Sequence, residues 1–167
     1  MLRTGMRDAT RRRASRRIAA TLVVSAALTL LGGSTADARR VSARQESDAY
    51  ASRIFALINA ERRRHRLPEL HSNSCARVYA NRLSAQLAHS QKLRHQSLKP
   101  LQKSCAASRA AENLGFGNIT ADALMKKWMA SSRHRKNILS PRLSSVGVGA
   151  ARSKSGYWYA VQDFLGF

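Results

Sequence analysis

The stretch VGVGAARSKSGYWYAVQDF, residues 146–164, indicates the fold class of this chain. Apolar residues recur at every second position in both of its halves, which is typical of β-strands. The polar link at residues 152–156 predicts that the two strands form a hairpin. Gly147 and Gly149 lie on one face of the first strand, so a helix or another backbone segment can approach that face closely.

Upstream of the hairpin, apolar residues follow the period of an α-helix. The first predicted helix begins at Ser47 or Asp48 and ends before Pro68; a second covers residues 74–90, and a third starts at the cap residue Thr120. The predicted core face of the first helix consists of Tyr50, Ile54, Leu57 and Ile58. Its predicted solvent face carries Arg62, Arg63, Arg64 and Arg66. Helices followed by strands predict an α+β fold in which helices cover an antiparallel sheet.

The first 38 of the 167 residues have the pattern of a secretory signal peptide. Seven arginines precede an apolar segment of 14 residues, Ile18–Leu31, and Ala36-Asp37-Ala38 predicts cleavage after Ala38. The apolar segment is shorter than the ~20 residues of a membrane span, so we expect export rather than a stable transmembrane anchor. The general secretory route is the simpler prediction, and Arg16-Arg17 leaves twin-arginine export as the alternative.

The remaining residues divide into a short lead-in and one domain. Residues 39–49 are polar and without periodicity, which predicts a flexible segment, and residues 50–167 are long enough for a single domain. Cys75 and Cys105 are the two cysteines of the chain. Because export leads to an oxidising compartment, we predict a disulfide between them, with two free buried thiols as the alternative.

The chain is strongly basic, with a formal net charge of +21. Without the predicted signal peptide the charge is still +16 over 129 residues, which indicates an anionic partner. Nucleic-acid binding would interleave aromatic residues with the cations, whereas the aromatic residues here fall on predicted core positions. We therefore expect an anionic component of the cell envelope rather than a nucleic acid, with a merely solvated basic surface as the alternative.

Several short segments then suggest a family: residues 57–62 (LINAER), His95, residues 112–117 (ENLGFG), 128–131 (WMAS), 134–139 (HRKNIL), 146–149 (VGVG) and 161–164 (VQDF). Each is weak alone, but their shared order across residues 50–167 resembles the CAP superfamily, also called SCP-domain proteins. The closest likeness is to its short secreted bacterial members. The resemblance implies an α-β-α sandwich with a central antiparallel sheet.

The resemblance also implies a site. Family members hold two histidines and two acidic residues in a cleft that can bind a divalent metal such as zinc. Matched by position, the histidines are His95 and His134, the first acid is Glu112 beside Asn113, and Ser131 stands where many eukaryotic members have the second acid. Two imidazoles suit zinc, copper or nickel. Without the resemblance, both histidines would be interpreted as solvated surface residues and Glu112 as a salt-bridge partner of a nearby arginine.

Two functions follow as expectations. The first is a secreted or periplasmic module that binds a lipidic or anionic envelope ligand without catalysis, with or without a divalent metal. The alternative is a metal-dependent hydrolase in which His95 and His134 hold the ion and Glu112 moves the proton. Because Ser131 cannot replace a carboxylate, the binding function is favoured. The other histidines, His65, His71 and His89, are expected to be solvated.

Overall fold

The computed structural model describes residues 35–167, so most of the predicted signal peptide lies outside the described residues. Export and cleavage after Ala38 remain predictions. In the described range the chain forms, in order, α1 (Thr35–Arg64), β1 (His71–Ser72), α2 (Ser74–Ser90), α3 (Leu98–Ser104), β2 (Arg109–Gly117), α4 (Ala121–Ala130), α5 (Ser132–Ile138), β3 (Ser145–Arg152) and β4 (Trp158–Gly166).

The strands form one sheet in the order β1-β3-β4-β2. Strands β3 and β4 form the predicted antiparallel hairpin, and β2 pairs antiparallel with the other side of β4. The sheet is nevertheless mixed, because the two residues of β1 run parallel to β3. Helices α2 and α3 pack on one face and α1, α4 and α5 on the other, which is the α-β-α sandwich that the resemblance implied.

Two glycines set the distance between α2 and the sheet, as their positions in the sequence suggested. A Cβ atom on Gly147 would lie 2.1 Å from the backbone nitrogen of Arg77, and one on Gly149 would lie 2.3 Å from the carbonyl carbon of Ala80. Both are far inside van der Waals contact, so α2 packs directly on the backbone of β3 only because these side chains are missing.

The predicted helices agree with the structure except at α1. Helix α2 has the predicted bounds, and Thr120 caps α4 by accepting a hydrogen bond from the Ala123 amide. The prediction of a flexible lead-in was wrong, since residues 39–49 belong to α1. This segment lacks glycine and proline and is rich in helix-forming residues, but most of its side chains are exposed, so it shows no apolar period.

Arg62 was also assigned to the wrong environment. Its side chain is not on the solvent face of α1 but almost completely buried, with 1% exposed. The guanidinium donates to four carbonyl oxygens, those of Pro68 at 2.7 Å, Ile138 and Ser140 at 2.9 Å, and Leu143 at 3.4 Å. Burial lowers the pKa of this arginine. Arg62 thus fastens the end of α1 to the segment that leads from α5 into β3.

The predicted disulfide is confirmed. Cys75 and Cys105 are bonded, with their Cα atoms 5.7 Å apart. The bond joins the first turn of α2 to the residue that ends α3. It therefore closes a loop that contains the whole segment between α2 and α3, in which His95 lies.

Candidate functional site

The site lies at the β2 edge of the sheet, where two carboxylates stand side by side. Glu112 of β2 and Asp163 of β4 are opposite one another in the antiparallel register, on the face covered by α2 and α3. Directly opposite residues in such a pair have neighbouring side chains. Both groups are buried: the Glu112 side chain is 2% exposed, and Asp163 is fully buried.

The loop between α2 and α3 brings a histidine and a glutamine onto these carboxylates. Helix α2 ends at Ser90, and the left-handed backbone of the next residue, Gln91 (φ 54°), turns the chain into this loop. His95 Nδ1 lies 2.5 Å from Glu112 Oε1, and Gln96 Nε2 donates to Glu112 Oε2 at 2.8 Å. The same amide nitrogen contacts both Asp163 oxygens, at 3.0 and 3.1 Å. Both oxygens of Glu112 are therefore engaged, whereas the His95 side chain is 64% exposed.

The carboxylate pair can store a proton. Burial, followed by the negative charge of Glu112 and a hydrogen bond with it, raises the pKa of Asp163 to about 8, although the hydrogen bond from Gln96 acts in the opposite direction. Two neighbouring carboxylates cannot both ionise easily in a buried site. At neutral pH Asp163 thus carries the proton beside Glu112.

His134 approaches the same edge from α5. Burial lowers its pKa, and the charges of His95 and Arg133 lower it further. The imidazole of His134 is therefore within electrostatic range of His95. Because its pKa is lowered from 6.5, the ring is mainly neutral at pH 7. A neutral imidazole is the form that binds a metal ion.

Asn113 has a different place from the one expected. Its side chain is buried on the opposite face of the sheet from Glu112, where Nδ2 donates to the His134 carbonyl at 3.1 Å and to Gln162 Oε1 at 2.9 Å. Asn137 Nδ2 in turn donates to Asn113 Oδ1 at 2.9 Å. Asn113 thus holds α5 against β2 and positions His134, and it does not line the cleft.

Ser131, the other predicted cleft residue, lies at the corner between α4 and α5. Its backbone amide donates to the carbonyls of Lys127 and Trp128, and its side chain makes no capping hydrogen bond. The second carboxylate of the site is supplied by Asp163 instead. The sequence holds a signal for a buried charge here, because Asp163 shares one face of the last predicted strand with the apolar residues Tyr159 and Val161. That signal does not link Asp163 to Glu112.

The donor atoms left for a metal are imidazole nitrogens. Within residues 35–167 there is no cluster of three or more His, Cys, Asp or Glu side chains arranged to hold a metal ion. Since Glu112 contacts His95 at Nδ1, the Nε2 atom of that ring stays available. His65, His71 and His89 are exposed, as expected. No helix in the part of the chain that the structure describes is long and apolar enough to cross a membrane.

Comparison with known proteins identifies the family. Residues 55–164 match the family model for CAP, the cysteine-rich secretory protein family. The chain therefore belongs to the CAP family. It is 33% identical over 132 residues to YkwD of Bacillus subtilis, an uncharacterized protein; the match covers 75% of this chain and 50% of YkwD.

Solved structures agree with the fold. An extracellular SCP-domain protein of Bacillus anthracis superposes with a TM-score of 0.67 at 23% identity, covering 76% of this chain and 43% of that protein. An outer surface protein of Borrelia burgdorferi has a TM-score of 0.62 at 15% identity, covering 68% and 89% respectively. The chain thus spans about half the length of YkwD and less than half of the Bacillus anthracis protein.

Proposed function

We propose that the protein is an extracytoplasmic binding module in which His95 and His134, with a divalent metal between them, hold an anionic ligand of the cell envelope without chemical turnover. The proposal rests chiefly on the state of Glu112. Its side chain is 2% exposed, and its two oxygens contact His95 and Gln96. A general base must reach the proton that it removes, whereas Glu112 is buried and each of its oxygens is already engaged by a side chain of the loop.

The contact between Glu112 and His95 suits a metal ligand. A carboxylate that accepts from Nδ1–H fixes the tautomer of the ring and leaves the Nε2 lone pair for the ion. His134 is neutral because burial and nearby positive charges lower its pKa. His95 and His134 would therefore hold the metal, and Glu112 would position the first of them. A bound divalent ion such as zinc would supply a positive centre with open coordination positions for an anion.

The charges beside the two histidines favour an anionic ligand. Arg94 precedes His95 in the loop, Arg133 precedes His134 in α5, and both arginines are exposed. Cations that border a binding site attract anions and raise their local concentration. An envelope ligand is supported by the predicted signal peptide and by relatives described as extracellular or as outer surface proteins.

One observation favours the alternative, a metal-dependent hydrolase. Asp163, with its pKa raised to about 8, lies beside Glu112, and a protonated and an ionised carboxyl group together form the pair that acid–base catalysis uses. Asp163, however, is fully buried beneath Gln96. Turnover through this pair would require His95 and Gln96 to leave Glu112.

Zinc titration tests the binding function. In calorimetry on the purified chain, we expect His95→Ala and His134→Ala to weaken zinc binding by at least about 100-fold. Glu112→Gln should weaken it by about 10–100-fold, as is usual for the partner of a metal ligand. His89→Ala removes an exposed histidine elsewhere and should change nothing. Vesicles containing phosphatidylglycerol should bind the zinc-loaded wild type more tightly than either histidine variant.

The same samples distinguish the hydrolase. With zinc present, we expect no turnover of ester, peptide or glycan substrates. Zinc-stimulated hydrolysis that disappears in Glu112→Gln, while zinc still binds, would replace the binding function with the hydrolase. If zinc affinity is equal in the wild type and both histidine variants, His95 and His134 do not form a metal site, and neither function can depend on one.

A further inference from the structure

The opposite edge of the sheet is open. Strand β1 pairs with only the first two residues of β3, Ser145 and Val146, and the chain then turns into α2. No other strand in residues 35–167 pairs with the outer side of β3. From Val148 to Arg152, five residues of β3 therefore have a strand partner, β4, on one side only.

The backbone of this free edge faces outward. The carbonyl of Val146 points away from β4, because it accepts a hydrogen bond from the Asn73 amide beside β1. Amide and carbonyl directions alternate along a strand, so Val148, Ala150 and Arg152 direct their N–H and C=O groups to the same outer side. Val148 is only 6% exposed, since α1 and α2 flank it. The edge thus offers sheltered backbone donors and acceptors at strand spacing.

Two adjoining cavities follow this edge, with volumes of about 500 and 790 Å³. Val146 and Val148 line the smaller one and residues 150–153 the larger, while Asp48 of α1 and Arg77 of α2 line both. Together they form a groove between α1 and α2 that continues the line of β1. We refer to this space as the β3 groove.

We propose that the β3 groove binds an extended acidic segment of a partner protein, which pairs with β3 as an additional strand in line with β1. Extended peptides bind exposed sheet edges in this way, with main-chain hydrogen bonds supplying affinity and side-chain contacts supplying specificity. Five residues of free edge correspond to about 17 Å of extended chain. The proposal is independent of the histidine site, which lies at the other end of the sheet.

The charged side chains in the groove indicate which charge a partner segment must carry. Glu46 and Asp48 each lie 3.9 Å from an arginine, Arg152 and Arg44 respectively. Two further exposed cations, Arg77 and Lys154, line the larger cavity. Neither is within ion-pair distance of an acidic side chain in the described part of the chain.

This surplus of positive charge favours an acidic strand. It also disfavours the first 34 residues of this chain as the occupant, because they contain seven arginines and one aspartate. The small side chains along the free edge, chiefly Val148 and Ala150, leave room for the side chains of an added strand.

A peptide pair tests the strand pairing. The probe is a fluorescent eight-residue peptide, capped at both ends, in which glutamate alternates with valine or threonine. The matched peptide has the same side chains but carries methyl groups on its four central backbone nitrogens, so it cannot donate to β3. In fluorescence polarisation at low salt, we expect the first peptide to bind at micromolar concentration and the methylated one at least about tenfold more weakly.

Paired charge reversals test the location. Arg77→Glu with Lys154→Glu should weaken binding of the unmethylated peptide by at least about tenfold. Lys99→Glu with Lys103→Glu makes the same charge change on α3 and should leave it unaltered. On peptide addition, hydrogen exchange should slow at the amides of Val148 and Ala150. Exchange is the direct readout of strand pairing.

Several results would overturn the proposal. They are equal affinity for the two peptides, equal weakening by the two double variants, or no binding at about 1 mM peptide. A dimer in light scattering that the peptide dissociates would show that a second copy of this chain, and not an acidic partner, occupies the edge.

Discussion

The two edges of the sheet have opposite characters. At the β2 edge, the loop after α2 places His95 on Glu112 and Gln96 on both carboxylates, and His134 of α5 lies within electrostatic range of His95. At the β3 edge, the long helices α1 and α2 approach a strand whose inner residues are glycine and valine, and no carboxylate side chain projects from it.

One rung of the sheet shows how the difference arises. Gly147, Asp163 and Glu112 lie side by side across β3, β4 and β2. The glycine lets α2 cover one end of the rung, and Gln96 covers the other. Ionisable groups thus lie where polar loop residues can contact them, and bare backbone lies where helices pack tightly.

Arg62 fastens the segment that connects the two edges, so its loss should affect both. Arg62→Met removes the guanidinium donor from four carbonyls, of which that of Ser140 keeps the Leu143 amide, and an unsatisfied buried group costs about 1–3 kcal/mol. Because water can reach some of them, we expect the free energy of unfolding in urea to fall by about 4 kcal/mol. Arg63→Met, at an exposed position, should change it by less than about 0.5 kcal/mol. A fall below about 1 kcal/mol in Arg62→Met would contradict this role.

The disulfide should matter mainly at the β2 edge, because it closes the loop that contains His95. Replacing Cys75 and Cys105 together with serine should lower the free energy of unfolding by about 3.5 kcal/mol, the chain-entropy value for a loop of 30 residues. Hydrogen exchange under native conditions should accelerate most in residues 91–108 and least in β3. Uniform acceleration in both regions would show that the bond does not stabilise one edge in particular.

The protonated carboxyl pair predicts an unusual dependence on pH. The pKa of Asp163 is about 8 when folded and 3.8 when unfolded, so the folded state binds the proton more tightly. Its contribution to stability is complete below about pH 4 and is lost as the pH rises through 8. Relative to Asp163→Asn, the wild type should lose about 1.4 kcal/mol per pH unit between pH 5 and 7.

Urea unfolding of both proteins across this range measures the difference. His134 contributes with the opposite sign, because its lowered pKa gives stability above about pH 6.5 that is lost on acidification. It is common to both proteins and cancels in the comparison. Parallel stability profiles for the wild type and Asp163→Asn would mean that Asp163 is ionised in the folded state.

A matched pair of glycine substitutions compares the packing at the two edges. In Gly147→Ala the new Cβ meets the α2 backbone at 2.1 Å, whereas in Gly115→Ala on β2 it meets the side chains of Leu124 and Trp128 at 2.7 and 2.8 Å. Side chains can shift more easily than a helix backbone. We expect thermal unfolding to show losses of about 3 and 1–2 kcal/mol respectively. The reverse order would indicate that α2 moves freely over β3.

Local patterns along the chain were enough for much of the fold. The bounds of α2, the cap at Thr120, the β3–β4 hairpin and the close approach at Gly147 all follow from short-range periodicity and residue type. Strand β2 was not recognised, because its sequence RAAENLGFG lacks a regular alternation of polar and apolar residues. Its assignment depends on pairing with β4, which is distant in sequence.

The residues of the candidate site also divide into those that the sequence predicted and those that it did not. The order of the family segments was sufficient to name His95, His134 and Glu112, and the structure brings the first of these into contact with the third. Asp163 could not be assigned to the site from its own surroundings, because only the register between β2 and β4 places it beside Glu112. The raised pKa of Asp163 likewise results chiefly from burial, which no local sequence pattern indicates.

Residue types at short or familiar spacing were enough to predict the family, the class of fold, the disulfide, and His95 and His134 as candidate site residues. Four other features depend on tertiary contacts: Arg62 is buried, Asn113 faces away from the cleft, Asp163 completes the carboxylate pair, and β3 has a free edge. These four features depend on which distant segments pack together, and that choice follows from the whole core rather than from any one stretch of it.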